Sequence, residues 1–257
     1  MRTYTHTRAG FILLVFGLFA PVGFGSPVIE KRDRVEVNWS TLRLRFYGEA
    51  APGRSDLHAK ERQAWKEGLK YVTEAVRNLN IAANEAGTPN PDELSAAAKV
   101  AARRVEKSTF SYDTTYFADG SVRVHLENAL PKALLMPGIR FHQKDAASVS
   151  MSEYTGLILQ ADKSVSPRAT YQIVDETGAV LFDVHDMAEE AYRKNLMGRW
   201  FRQPTANELA SAVGRSPIRI AATAIDGKFQ VKRSDWEKAL EGHHSLLTNG
   251  LVAIALP

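Results

Sequence analysis

Apolar and polar residues alternate strictly through VEVNWSTLRLRFYG, residues 35–48. The apolar residues up to Trp39 share one face, and those from Leu42 onward share a face one register later. A one-residue change of phase moves every following side chain to the opposite face of a strand. The pattern therefore predicts two short strands with a turn or bulge at Ser40–Thr41.

Two helical patterns follow. Residues 57–79 place small and apolar side chains on one side and charged side chains on the others, which predicts an amphipathic helix packed on a sheet. A second helix is predicted from Asn90 to about Lys107. Asn90 suits the N-cap, Pro91 suits the first helical position, and Glu93 completes a capping box.

Alternation returns in a predicted hairpin. Phe110, Tyr112, Thr114 and Tyr116 alternate with polar residues, Asp119–Gly120 supplies the turn, and apolar residues alternate again over 122–126. The first half, residues 33–130, is therefore predicted to have the order β-β-α-α-β-β. Residues 131–152 contain Pro137–Gly138 and little periodicity, and they are predicted to be a linker.

The second half, residues 153–257, predicts a compact apolar strand at 157–159, a crossing with Pro167, and a hairpin around a DETG turn. Short helices are expected in 184–213. Further predicted elements are strands at 218–224 and 229–231, a helix from a capping box at Ser234 to Leu247, and a buried strand at 251–256. The patterns together predict an α+β fold made of two small α+β domains.

The first 25 residues have the pattern of a secretory signal peptide. Arg2 and Arg8 precede an apolar run of about a dozen residues, and small residues at Gly23 and Gly25 fit a cleavage site before Ser26. The run is shorter than the roughly 20 residues that a membrane span needs. We therefore expect export and cleavage, with no transmembrane span in the mature protein.

Composition excludes several classes of protein. The chain has no cysteine, which excludes disulfides, cysteine nucleophiles and lipidation at a new N-terminal cysteine. Its 33 Lys and Arg residues include two in the leader, which leaves 31 basic against 29 acidic side chains. So small an excess of positive charge is a weak argument for nucleic acid as a partner, and none is expected.

Residue patterns give little support for catalysis. His243–His244 point about 100° apart on a helix, and His185–Asp186 is isolated, whereas metal sites need three or four convergent groups. The chain has no Gly-x-Ser-x-Gly elbow and no P-loop pattern. We therefore expect no enzymatic activity, no metal and no cofactor.

Two groups of residues are candidates for protein contact. Arg199, Trp200, Phe201 and Arg202 combine basic and aromatic side chains, which are favoured at protein interfaces and can also bind single-stranded nucleic acid. The export signal favours the protein contact. Tyr112 and Tyr116 belong to the hairpin of residues 110–126, whose outer strand is a candidate free edge.

Both halves resemble one group of bacterial envelope proteins, namely the flagellar basal-disk (FlgP-like) lipoproteins and the N-terminal domain of the flagellar H-ring protein FlgT. The matching segments of the first half are VNWS at 37–40, FYGEA at 46–50, the 59–79 helix and VRV at 122–124. The matching segments of the second half are YTGLIL at 154–159, Pro167, QIVDETG at 172–178 and the 250–256 strand. Relatives of the basal-disk type carry a lipobox cysteine, which this chain lacks.

The resemblance implies a structural role in the cell envelope and no catalytic residues. We expect a longer, non-lipidated member that lies in the periplasm or outer envelope as a flagellum-associated ring or disk component. Its expected partners are itself or other envelope or flagellar proteins. The alternative is a periplasmic ligand-binding protein with a cleft between the two domains.

Overall fold

A computed structural model describes residues 26–53, 55–77, 103–134, 139–141, 153–225 and 227–257. It combines helices with two β-sheets, which confirms the predicted α+β class. The predicted leader, the start of the second predicted helix and most of the predicted linker lie outside these residues.

The first half supplies six strands and three helices. They are β1 (Ser26–Pro27), β2 (Ile29–Arg32), β3 (Val35–Asn38), β4 (Arg43–Ala50), α1 (Leu57–Arg77), α2 (103–108), β5 (Phe110–Tyr116), β6 (Val122–Ala129) and α3 (Leu130–Leu134). Five of the strands form an antiparallel sheet in the order β2-β3-β4-β6-β5. The predicted strands β3 and β4 are present, with their turn at residues 39–42. The pattern did not predict two of the six strands, β1 and β2.

Helix α1 packs very closely on one face of this sheet. A Cβ atom at Gly48 of β4 would lie 1.9 Å from the carbonyl oxygen of Ala64 and 2.3 Å from the backbone nitrogen of Gly68. Only a residue without a side chain allows the two backbones to approach so closely. Alternate residues of β4 therefore face α1, and the residues between them face away from the helix.

The second half supplies seven strands and four α-helices. They are β7 (Gly156–Ala161), β8 (Gln172–Val174), β9 (Val180–Phe182), α4 (Glu189–Asn195), β10 (Arg199–Arg202), α5 (Ala206–Val213), β11 (Pro217–Ile225), β12 (Lys228–Gln230), α6 (Arg233–Leu240), α7 (Ser245–Thr248) and β13 (Val252–Leu256). The seven strands form a sheet with β1, in the order β1-β10-β13-β7-β11-β12-β8-β9. Strands β10, β13, β7 and β11 are parallel to one another.

The central strands of this sheet are buried on both faces. Ile158 and Ala253 pack with Leu209 of α5, whereas Leu159 and Ile254 join the main core on the opposite face. Parallel strands covered on both sides read as continuous apolar runs. The predicted strands at 157–159 and 251–256 have that pattern and are confirmed.

The predicted helix from Ser234 to Leu247 was wrong in two respects. It is divided into α6 and α7, with Gly242 at φ +73° between them. Helix α6 is capped at Lys232, which makes no side-chain capping bond, so the predicted capping box is absent. The backbone N–H of Arg233 donates instead to the Glu176 carboxylate at 2.9 Å, which ties α6 to the β8–β9 turn.

The two halves contact each other through the start of the chain. Strand β1 pairs with β10 in the second sheet, although β2 belongs to the first sheet. Between them, the Val28 N–H donates to the Ser40 hydroxyl at 2.9 Å, and that hydroxyl donates to the carbonyl of Trp200. The predicted linker is also incorrect at its start, because residues 131–134 belong to the buried helix α3, which packs against α4.

Candidate protein-contact site

The four consecutive contact candidates of the second half do not form an exposed patch. Trp200 is 2% exposed and Phe201 is 4% exposed, because Trp200 packs in the main core and Phe201 packs with Leu209 of α5 in a second cluster. The Trp200 ring packs against Tyr171 and Phe229, and its Nε1 donates to the carbonyl of Arg168 at 3.1 Å. The prediction that Trp200 and Phe201 form a contact surface is therefore wrong.

The two arginines of that segment, Arg199 and Arg202, differ in how far they are buried. Arg199 is partly buried beside α5, and burial lowers its pKa. Arg202 is exposed at the end of β10, where it pairs in register with Ser26 of β1. The sequence missed this strand because it has only four residues, and its two buried residues, Trp200 and Phe201, are adjacent and leave no alternation to detect.

The hairpin candidates lie on a sheet edge. Strand β5 pairs with β6 on one side, and no strand of the described residues pairs with its other side. Tyr112 is 50% exposed and Tyr116 is 53% exposed, and Phe110 and Phe117 are also exposed. Four aromatic side chains are thus exposed on and next to one edge strand, and exposed apolar side chains at a free edge mark interaction sites.

A bulge places these aromatic residues on both faces of the strand. The register with β6 shifts between Ser111 and Asp113, so Tyr112 is an extra residue in β5. Tyr112 lies beside His125 and Arg45 on the face away from α1, whereas the hydroxyl of Tyr116 donates to Glu61 of α1. The alternation in the sequence predicted that Tyr112 and Tyr116 share one face of the strand, because alternation alone cannot reveal an inserted residue.

The two tyrosine hydroxyls are held protonated by different causes. Burial raises the pKa of Tyr112, and the guanidinium of Arg45, 5.7 Å from the ring centre, opposes that rise. The bond to Glu61 raises the pKa of Tyr116. The same bond, together with His58, lowers the pKa of Glu61. The Tyr116 hydroxyl is therefore already engaged as a donor to Glu61, whereas the Tyr112 hydroxyl is a neutral group at neutral pH.

Charged side chains next to Tyr112 fix the open face of the first sheet. The Glu127 carboxylate, of which 8% is exposed, pairs with Arg43 and with Arg45, the latter at 2.8 Å. A buried carboxylate held by two guanidinium groups keeps its neighbours in place. The alternating arginines of RLRF at 43–46 indicate this charged face in the sequence. The pattern did not reveal that Glu127 is their common partner.

The described residues contain no cluster of three histidine or acidic side chains that could hold a metal ion. His243 packs edge-on against Tyr154, with ring centres 5.1 Å apart, and the ring of His185 hydrogen-bonds to the carbonyl of Arg140 at 2.6 Å. Among the residues that the structure describes, no helix is both long and apolar enough to cross a membrane.

A recess of about 300 Å³ lies in the second half, where the loop after β7 meets β10 and β12. Its floor is formed by Tyr171, Trp200 and Phe229, and Ser164 and Ser166 lie at its rim. The hydroxyl of Tyr171 already donates to the carbonyl of Met197 at 2.8 Å. The recess can therefore offer a ligand aromatic surface and hydroxyl groups.

No protein-family model matches the chain, and no curated protein matches it.

Proposed function

We propose that this chain is a non-enzymatic structural protein of the bacterial envelope that assembles with itself or with flagellar ring or disk components. The edge strand β5 is the contact element, and its exposed aromatic side chains carry the proposal. Partner strands add to such edges through main-chain hydrogen bonds, and side-chain contacts supply the specificity.

The bulge limits which part of the edge can accept a strand. Residues Asp113–Tyr116 keep a regular register with β6, whereas the extra residue Tyr112 interrupts the ladder. A bulge twists an edge and weakens pairing beside it. The proposed contact therefore uses the backbone of 113–116, with Phe110 and Tyr112 packing on the partner from the open face.

The proposal takes residues 33–130 as the unit that makes the contact and residues 153–257 as the unit that anchors it. Its flagellar and periplasmic parts rest on the resemblance of both halves to the basal-disk and H-ring proteins, and on the leader pattern at residues 1–25. Contacts that repeat head to tail close into rings when the rotation between neighbours allows it.

The test removes two aromatic residues of the edge while sparing the Tyr116–Glu61 bond. Phe110→Ser with Tyr112→Ser should abolish self-association, or capture of envelope partners, as measured by light scattering and by pull-down from envelope extract. The matched control is Val180→Ser with Ile225→Ser, which removes two exposed apolar side chains from the second half. Equal loss in both variants, or a wild-type protein that stays monomeric and captures no envelope protein, would overturn the proposal.

Location is tested separately. Cleavage before Ser26 predicts an intact mass for the periplasmic protein that lacks the first 25 residues. A protein found in the cytoplasm with Met1 retained contradicts this part of the proposal and leaves the edge contact to stand or fall alone.

The recess in the second half favours the alternative, a periplasmic ligand-binding protein. It lies beyond the carboxyl end of the parallel strand β7, where open parallel sheets bind ligands. It differs from the expected cleft because it is lined by the second half alone. A small aromatic or hydroxylated ligand that raises the melting temperature of the wild type, but not of Tyr171→Ala, would support this alternative.

A further inference from the structure

A groove of about 1000 Å³ runs beside α1 at the end of the first sheet. One side is formed by Ala50, Ala51 and Pro52 at the end of β4, and the other by polar and charged residues of α1. Of the exposed aromatic side chains around β5, Phe117 alone lines the groove, and the test below alters only residues of α1, so the inference does not depend on the proposed function.

Three cations form a stripe along the groove. Arg62, Lys66 and Lys70 are spaced four residues apart on α1, so they lie on one face of the helix, about 6 Å apart along its axis. All three are exposed, and no ion pair joins any of them to a carboxylate within the described ranges. Like charges four residues apart on a helix repel one another, and a bound anion would relieve that repulsion.

The other two cations of the groove already have partners. Arg34 pairs with Glu49 at 3.2 Å and with Glu67 at 3.1 Å, and Arg123 pairs with Glu49 at 2.5 Å. Glu67 also accepts the backbone N–H of Glu49, which lies on β4 beyond the last residue that pairs with β3. These four residues brace the end of the sheet, and the stripe on α1 remains available for a ligand.

We propose that the groove binds an extended acidic peptide segment of a partner protein, with carboxylates at alternate positions. Alternate side chains of an extended strand point the same way and are about 6.6 Å apart. That spacing matches the step of about 6 Å between successive cations of the stripe. Each carboxylate of such a segment can therefore meet one cation.

Two features favour a peptide over other anions. The stripe lies in a concave groove, which admits a linear chain more readily than a flat membrane surface. Its walls also include Ala51, Pro52 and Phe117, together with the carboxylates of Glu49 and Asp119. Apolar walls suit the uncharged residues between the acidic ones, and the carboxylates repel a polymer with a charge on every unit.

The test measures binding of fluorescent hexapeptides to the purified protein by anisotropy. The probe alternates Glu with Thr, and a second peptide of the same composition places three Glu before three Thr. The groove variant is Arg62→Gln, Lys66→Gln, Lys70→Gln. Its matched control is Lys163→Gln, Arg215→Gln, Lys238→Gln, which removes three exposed cations from the second half.

The proposal expects the alternating peptide to bind the wild type and the control equally, and the groove variant about tenfold more weakly, as three rim ion pairs of ordinary strength imply. Binding should also weaken as salt rises. Equal affinity for the two peptides, equal loss in both triple variants, or no binding would overturn it. Preference for inorganic polyphosphate or for vesicles of anionic lipid over the alternating peptide would also overturn it.

Discussion

The two sheets of this protein differ in what they leave open. The first sheet is antiparallel, with α1 on one face and a network of charged and aromatic side chains on the other. The second sheet has four parallel strands, of which β7 and β13 are buried on both faces, whereas β11 is exposed on one face. The first sheet therefore exposes aromatic side chains at its edge, whereas the second covers its central strands on both sides.

The aromatic and arginine residues of the two sheets show the same contrast. In β5 the aromatic side chains are half exposed, and in β10 Trp200 and Phe201 are buried. Residue type alone made both segments candidates for contact, because Trp, Phe, Tyr and Arg are all favoured at interfaces. The side chains that pack on the two faces of a strand decide which segment can meet a partner.

The largest effect is expected where the two halves meet. Trp39 is fully buried. Its backbone N–H donates to the carbonyl of Val28 at 2.9 Å, and its backbone carbonyl accepts from the backbone N–H of Trp200 at 3.3 Å. Trp39→Ala should lower the free energy of unfolding by about 3–5 kcal/mol. Urea denaturation followed by circular dichroism measures it, and Trp39→Phe should cost less. An unchanged midpoint would show that this core is not shared between the halves.

A smaller effect is expected from the contact between α1 and β4. Gly48→Ala should lower the free energy of unfolding by about 1–3 kcal/mol, because the added methyl group must push the helix away from the sheet. Gly53→Ala is the matched control, since nothing lies within 4 Å of a Cβ at that position. Equal melting temperatures for the two variants would contradict the close packing of helix and sheet.

The β8–β9 turn predicts a pH-dependent effect in the second half. Bonds from Thr177 and Arg233 lower the pKa of Asp175 below its usual 3.8, so the charged carboxylate stabilises the folded state. That stability is fully present well above pH 3.8 and is lost as pH falls through the lower folded pKa. Asp175→Asn should therefore destabilise the protein at pH 7, with a difference from wild type that shrinks toward pH 2.

Urea unfolding at pH 7, 3 and 2 measures this difference for Asp175→Asn. The control is Asp235→Asn, at an exposed carboxylate of α6. A difference that stays constant with pH would show that Asp175 contributes through its shape and not through its charge.

The smallest change in stability is expected at the sheet edge. Phe110→Ser with Tyr112→Ser removes exposed side chains, so the free energy of unfolding should change by no more than about 0.5 kcal/mol. Loss of assembly together with an unchanged thermal melt would separate the contact surface from the core. A large loss of stability would instead mean that these aromatic residues support the fold.

Periodicity predicted the elements that have a long or strictly alternating pattern. Helix α1, the β5–β6 hairpin, the β8–β9 hairpin and the strand β13 were all located within a few residues. The errors arise where tertiary contacts override a local signal. Ser234 offered a good cap, yet the bond from Arg233 to Glu176 sets the start of α6.

The candidate site was only partly predictable. Alternation identified Tyr112 and Tyr116 as hairpin residues, but the bulge that separates their faces depends on the register with β6. The burial of Trp200 depends on Tyr171 and Phe229, which are distant from it in sequence. No local pattern reports which side chains pack on the faces of a strand, and those side chains determine its exposure.

The pairing of β1 with β10 constrains the order in which the chain can fold. Ser26–Pro27 leave the ribosome first among the described residues, but β10 follows about 170 residues later, and its parallel neighbour β13 comes last. Contacts between such distant segments slow folding because a long loop must close before they form. The first strand of the nascent chain therefore stays unpaired until β10 has been synthesised, and a chain that stops before Val252 leaves β10 and β7 without their shared partner.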